Sequence, residues 1–177
     1  MSYEIKHWAG PIASPSVQEL GDRHAASQLV KVYALGVDMR DYDLARSVFA
    51  DDADAKGSMG AAHIDEYLPK VYGGAAAFAA TQHNITNQQV ELQGDEAHVL
   101  SYAIAVHKAA PGSEQKDLTM GVQYRDTCRR FENGWLIVHR EAVPQWMESG
   151  PAACSGIATD FDPLKGMPAY SAGIACT

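Results

Sequence analysis

The chain has 177 residues, a formal net charge of −8 and a pI near 5.2, with 46% hydrophobic and 20% charged residues. That is the balance of one ordinary globular domain, long enough to bury a sizeable core. Phosphate binding needs clustered cations, so the acidity and the scattered Lys and Arg (Arg129-Arg130 is the one notable pair) exclude nucleic acid and anionic membrane as partners. No run reaches the apolar length of a transmembrane helix. Residues 1–7 lack the basic-then-apolar order of a signal peptide. The three cysteines, Cys128, Cys154 and Cys176, are widely spaced without any Cys-x-x-Cys, and a reducing cytoplasm is their expected home.

In chain order, an N-terminal arm over residues 1–15 precedes a helix announced by Ser16-Val17-Gln18-Glu19, a capping box. Leu20, Ala25, Leu29, Val32, Tyr33 and Gly36 place an apolar stripe along that helix, and Asp38 lies at its end. Asp41 is the expected N-cap of a second, short helix with Leu44, Val48 and Phe49 inward, closed by Asp51-Asp52. An extended piece follows over residues 53–59. Residues 61–80 then look helical, interrupted at Pro69 and Gly73-Gly74.

From Thr81 the pattern turns to strands. Residues 81–93 and 96–108 pair through a turn at Gly94-Asp95, and residues 117–131 and 135–147 pair through Asn133-Gly134. Helices first and an antiparallel meander afterwards predict an α+β fold, with the helices on one face of a curved sheet. Residues 148–177 form a Gly, Ala, Ser and Pro-rich tail, expected to be either partly disordered or a wrapped arm serving as a lid over the site or an interface arm.

Alternation along the second long strand separates two faces. Val99, Ser101, Ala103, Ala105 and His107 form a small-residue face, and Leu100, Tyr102, Ile104 and Val106 a bulky one. The small face leaves room for a ligand beside His107. Leu118, Met120, Val122 and Tyr124 offer an apolar wall that carries one hydroxyl. Helices cover one side of such a sheet only, so the bulky face predicts subunit contacts, with Arg125, Arg129 and Arg140 as interface charges.

Several chemistries fail on spacing. His63, His83, His98, His107 and His139 show no metal-ligand grouping, Gly73-Gly74 is followed by alanines instead of Lys-Ser/Thr, and Ser58 and Ser101 lack a nucleophile-elbow setting. No metal and no cofactor are expected. Read singly, Asp38 suits a helix-terminal carboxylate that accepts backbone amides, His83 a satisfied structural histidine, and Tyr33 core packing. Tyr67, Tyr72 and Trp146 fit either a pocket mouth or core and interface positions.

Taken together the residues resemble a family. Val37-Asp38-Met39-Arg40-Asp41-Tyr42-Asp43, then Thr81-Gln82-His83, then Arg130-Phe131-Glu132-Asn133-Gly134-Trp135, in helix–helix–strand–helix–four-strand order, resemble the SnoaL-like branch of the NTF2-like superfamily over about residues 16–147. Scytalone dehydratase-like, hexachlorocyclohexane dehydrochlorinase-like and bile-acid 7α-dehydratase-like proteins are the nearest in character. The resemblance implies a cone-shaped α+β barrel and an Asp–His dyad at Asp38 and His83. It also implies a second histidine at His107 and a tyrosine one turn before the aspartate at Tyr33. Val37, Gly57 and Tyr124 stand where scytalone dehydratases carry two tyrosines and an asparagine, so a different substrate is implied.

The expected activity is a cofactor-independent lyase of dehydratase or dehydrohalogenase type, acting on a small hydrophobic cyclic substrate such as a steroid, polyketide, terpenoid or aromatic. His83, Asp38, Tyr33 and His107 are the expected catalytic residues; Tyr124, Met120, Val122 and Tyr67 are the expected substrate contacts. The alternatives are an isomerase or polyketide cyclase with the same dyad, or a lipophile-binding protein without catalysis. The resemblance also implies a homo-oligomer, a trimer first and a dimer second.

Overall fold

The computed structural model describes residues 13–150. Helix α1 (Val17–Asp38) begins with the capping box: Glu19 N donates to Ser16 Oγ, and Ser16 N donates to the Glu19 carboxylate. Its end is a Schellman motif. Asp41 N donates to Gly36 O at 2.8 Å and Arg40 N to Val37 O at 3.3 Å. The left-handed residue this motif needs is Arg40, at φ 61°. A non-glycine residue there costs on the order of 1 kcal/mol. Arg40 Nη2 anchors the turn by donating to Phe78 O at 3.0 Å, which ties the end of α1 to the segment that enters the sheet.

Helix α2 (Tyr42–Arg46) is capped by Asp41, whose carboxylate accepts Leu44 N. It stops well before Asp51. Phe49 already begins strand β1 (Phe49–Gly57), which includes Asp51 and Asp52, so those two residues do not close the helix. The predicted helix over residues 61–80 also divides. Gly60, at φ 91°, reverses the chain into strand β2 (Gly60–His63), and α3 (Ile64–Ala76) follows. His63 caps α3 by accepting Asp65 N. Pro69 lies inside the helix without ending it. Pro69 and the Asp65 carbonyl's residue are both exposed, so the backbone acceptor that proline leaves free meets solvent.

Strands β3 (Ala80–Gln93), β4 (Glu96–Lys108), β5 (Asp117–Phe131) and β6 (Gly134–Gly150) form the expected meander. Gly94 and Gly134 supply the positive φ of its two tight turns; Asn133 does not share that conformation. Residues 148–150 lengthen β6 by pairing with residues 117–119 of β5. The N-terminal arm before residue 13 and the tail beyond residue 150 lie outside the described residues. The six strands make one sheet in the order β2-β1-β6-β5-β4-β3, antiparallel throughout except for the β1–β6 pair. The result is the α+β architecture of an NTF2-like cone. Among the described residues no helix is long and apolar enough to cross a membrane.

Burial follows the alternation. Val99, Ser101, Ala103, Ala105 and His107 are buried, whereas Tyr102 and Ile104 are 42% and 41% exposed. Helix α1 packs against β3, and α3 against β1 and β2, so both stand over the small-residue face. Their contribution to the core (Val30, Tyr33, Val37, Ile64, Tyr67 and Leu68) meets Phe49, Val122, Tyr124 and Ile137 from the sheet. Burying such side chains stabilises by about 1.5–3 kcal/mol each.

Candidate active site

Asp38 is the last residue of α1, the end where a carboxylate opposes the helix dipole. Two bonds from one residue compensate. His83 Nδ1 lies 2.7 Å from Asp38 Oδ1, and His83 backbone N donates to Asp38 Oδ2 at 2.7 Å. Asp38 therefore does both things open to it, accepting a backbone amide and pairing with an imidazole. Burial disfavours its charge, but the His83 ring and amide outweigh that and hold the carboxyl below the ordinary range. The neutral ring must carry its proton on Nδ1 to donate to Asp38, which leaves Nε2 with a free lone pair.

His83 pairs with Ala105 on β4, and Thr81 with His107. Both histidines therefore stand on the inner face. Their rings meet edge to face at 5.6 Å between centroids, and the Phe78 ring packs tilted against His107 at 5.0 Å. His107 is 7% exposed. Burial, and then the neighbouring His83 ring, push it below the usual imidazole value. The sequence places His107 at the end of the small-residue face, and the resemblance offers it as a second histidine; the structure brings it into ring contact with His83.

Tyr33 is one turn before Asp38, close enough for the carboxylate's charge to act on its phenol. It stacks edge-on with Tyr124 at 5.9 Å and with Phe49 at 6.0 Å. Tyr67 arrives from α3: a Cβ on Gly57 would collide with the Tyr67 hydroxyl. The glycine that replaces a bulky residue in the resemblance thus makes the space for a phenol from another element. Burial raises all three phenols, Tyr67 to about 12, so each is a neutral hydrogen-bond donor over the physiological range.

Beneath the phenols lies a feature the sequence reading placed elsewhere. Arg140 is not an interface charge. It is buried, it donates from Nε and Nη2 to the two oxygens of Asp126 at 2.7 Å each, and its guanidinium lies 4.3 Å from the Tyr33 ring centroid and 4.8 Å from that of Tyr124. Burial opposes the charge, but Asp126 and the aromatic faces favour it and keep Arg140 above its ordinary value. Strict alternation from the buried Trp135 and Ile137 would turn position 140 outward; the register shift in the β5–β6 pairing between Thr127 and Cys128 inserts Val138 and turns Arg140 inward, a bulge that no local sequence signal announced.

Met120 and Val122 pair with Ala105 and Ala103 and share the inner face with Tyr124, opposite Ser101. Val122 and Tyr124 are buried and Met120 is half-buried. Trp146 belongs to the other side. It pairs with Gly121, its indole fills the space where a Gly121 side chain would be, and Gly121 pairs with exposed Ile104. Tyr72 packs edge-on against Tyr42 at 5.4 Å. Cys128 is buried and unpaired, and the low polarity around it pushes its thiol well up. No group of three or more potential metal ligands occurs among the described residues.

The fold and this set of side chains define an NTF2-like domain. A model of the SnoaL-like domain matches residues 18–141, and the chain belongs to that family. It is 31% identical over 133 residues to the uncharacterized protein Rv2910c of Mycobacterium tuberculosis and equally to Mb2934c of Mycobacterium bovis, covering 71% of this chain and 86% of either relative. Among solved structures it is similar to a protein of Novosphingobium aromaticivorans provisionally assigned as a scytalone dehydratase. The TM-score there is 0.66, at 23% identity, over 73% of this chain and 88% of that one. It is also similar to the hexachlorocyclohexane dehydrochlorinase LinA-type3 of Novosphingobium barchaimii, with TM-score 0.67, 16% identity, and 77% and 95% of the two chains covered. These likenesses are likenesses of fold.

Proposed function

We propose that this protein is a cofactor-independent lyase that removes water, or another small leaving group such as halide, from a small hydrophobic cyclic substrate. The observation that carries the reading is the half-buried Asp38–His83 pair, doubly bonded at the end of α1 and in contact with His107. His83 Nε2 takes a proton from a carbon next to an activating carbonyl or beside the leaving group, and Asp38 stabilises the imidazolium that forms. Tyr33 and Tyr124, neutral and packed on the Arg140 guanidinium, and Tyr67 from α3 donate to the oxygen on which charge develops. Where the leaving group is a hydroxyl, His107 orients it by accepting its hydrogen, and it departs as water with the proton that His83 has taken from carbon. Met120 and Val122 supply the apolar wall. The names of the dehydratase and dehydrochlorinase neighbours support this class, and the departures at Val37, Gly57 and Tyr124 support a substrate other than scytalone.

The bulky outer face suits a second copy of the chain. Tyr102, Ile104 and Trp146 are each more than two-fifths exposed there, and a trimer is the first expectation, a dimer the second. Light scattering on the purified protein distinguishes these from a monomer.

The direct test is incubation with a panel of steroid, terpenoid, polyketide and aromatic compounds, read by mass spectrometry. Loss of water or hydrogen halide from a compound, abolished in His83→Ala, supports the lyase. A product of unchanged mass replaces it with an isomerase or cyclase using the same dyad. Retention of a compound without conversion replaces it with a lipophile carrier.

A further inference from the structure

Two buried polar atoms that have no hydrogen-bond partner, Thr81 Oγ1 and His107 Nδ1, belong to residues directly opposite one another on β3 and β4. Both residues are on the inner face, where Cβ atoms of such a pair stand about 4.5–5.5 Å apart, within reach of a hydroxyl-to-imidazole bond. The Thr81 hydroxyl also lies near Asp38 and favours its ionised form. Buried groups of this kind are normally satisfied, and a hydroxyl can donate once and accept as well.

We propose that Thr81 joins His107 to the Asp38–His83 pair, its hydroxyl donating to the Asp38 carboxylate and accepting from His107 Nδ1–H. The direction follows from charge. Donation to a carboxylate is the stronger option for the hydroxyl hydrogen, so the Thr81 oxygen is left to receive. Asp38 then sets the tautomer of two rings, His83 by direct contact and His107 through Thr81. Both rings keep their proton on Nδ1 and their Nε2 lone pair free. His107 is depressed by burial and by the His83 ring, which keeps it in the neutral form this link requires. The carbonyls of Leu118 and Ala105 also stand near the His107 ring, but Nδ1 bonds to neither. In the proposed reaction, His107 Nε2 accepts the hydrogen of a substrate hydroxyl and so orients it, while donation to the developing charge falls to the phenols. That consequence rests on the lyase reading; the hydrogen-bonded link does not. Thr81 is thus a positioning residue.

The test is two-bond proton–nitrogen correlation NMR on the uniformly 15N-labelled full chain at neutral pH, which reads the tautomer of each histidine; His107→Asn identifies the His107 signals. The wild type is expected to show His107 protonated on Nδ1. The isosteric Thr81→Val shifts its tautomer ratio roughly fivefold toward Nε2–H, about what one hydrogen bond supplies. Thr81→Ser restores the wild-type ratio. His107 found as Nε2–H in the wild type, or a ratio unchanged in Thr81→Val, overturns the link and gives the tautomer to the Leu118 and Ala105 carbonyls. Should Thr81→Val fail to fold by circular dichroism, Thr81→Ala gives the same reading. No substrate enters the experiment, so failure of the lyase reading leaves its result intact.

Discussion

Among the described residues, two aspartate–histidine pairs share the same spacing, 2.7 Å between Nδ1 and Oδ1, and they are not equivalent. Asp54–His139 joins β1 to β6 with side chains 61% and 38% exposed. Asp38–His83 joins α1 to β3 with side chains 22% and 6% exposed. The exposed pair is screened by water and bonded through one contact, worth about 0–1 kcal/mol. In the inner pair a second bond, from the His83 amide, locks the carboxylate, and His107 flanks the imidazole. Spacing alone makes an ion pair; burial and a second fixed bond hold the imidazole in one orientation, which the proposed role of His83 as base requires.

The comparison breaks if removing either pair has the same consequence. His83→Ala is expected to lower turnover of a reactive panel compound by about 10²–10⁴, and Asp38→Asn to act in the same direction, with circular dichroism unchanged. Arg140→Met is expected to destabilise by about 3–5 kcal/mol in urea unfolding, because Asp126 is left charged and buried. Arg140→Met combined with Asp126→Leu recovers most of that loss, which separates the cost of an orphaned charge from that of the pair. Gly57→Ala pushes the Tyr67 hydroxyl from its place and is expected to cost about 1–3 kcal/mol of stability, with a fall in kcat/KM.

The pH dependence sharpens the same contrast. His107 has a folded pKa below its unfolded value of about 6.5, so the folded state binds fewer protons than the unfolded one between the two. Its stabilising contribution is complete above about pH 6.5 and is lost as pH falls through the depressed value. Asp38 is depressed too. Its contribution is complete above its unfolded value of about 3.9 and disappears at lower pH. Thermal melts of the wild type are therefore expected to fall on acidification below pH 6.5, with a shallower slope in His107→Asn. The smallest effect belongs to the exposed pair: His139→Ala is expected to change stability by less than about 1 kcal/mol and turnover not at all.

Much of this site was legible in one dimension because its elements obey short-range rules. The capping box at Ser16, the period-two alternation from Val99 to His107 and the turn glycines at 94 and 134 are local signals, and the structure follows them. The helix boundaries after Arg46 and before Ile64 were not legible, since small residues such as Ala61-Ala62 suit helix and strand equally and pairing with β1 decides between them. Arg140 was misplaced because an arginine on a strand reads as surface until a buried Asp126 opposite it is known.

The sequence by itself determined the α+β order, the inner face of β4 and the candidacy of Asp38 and His83, through capping, alternation and a resemblance spread along the chain. Only the tertiary structure decided that Asp38 reaches His83 at 2.7 Å, that His107 meets the same ring, and that the Tyr33 and Tyr124 rings gather over a buried Arg140–Asp126 pair. Those contacts join residues far apart in the chain, and no local rule carries information about which distant partner a side chain meets when the core closes.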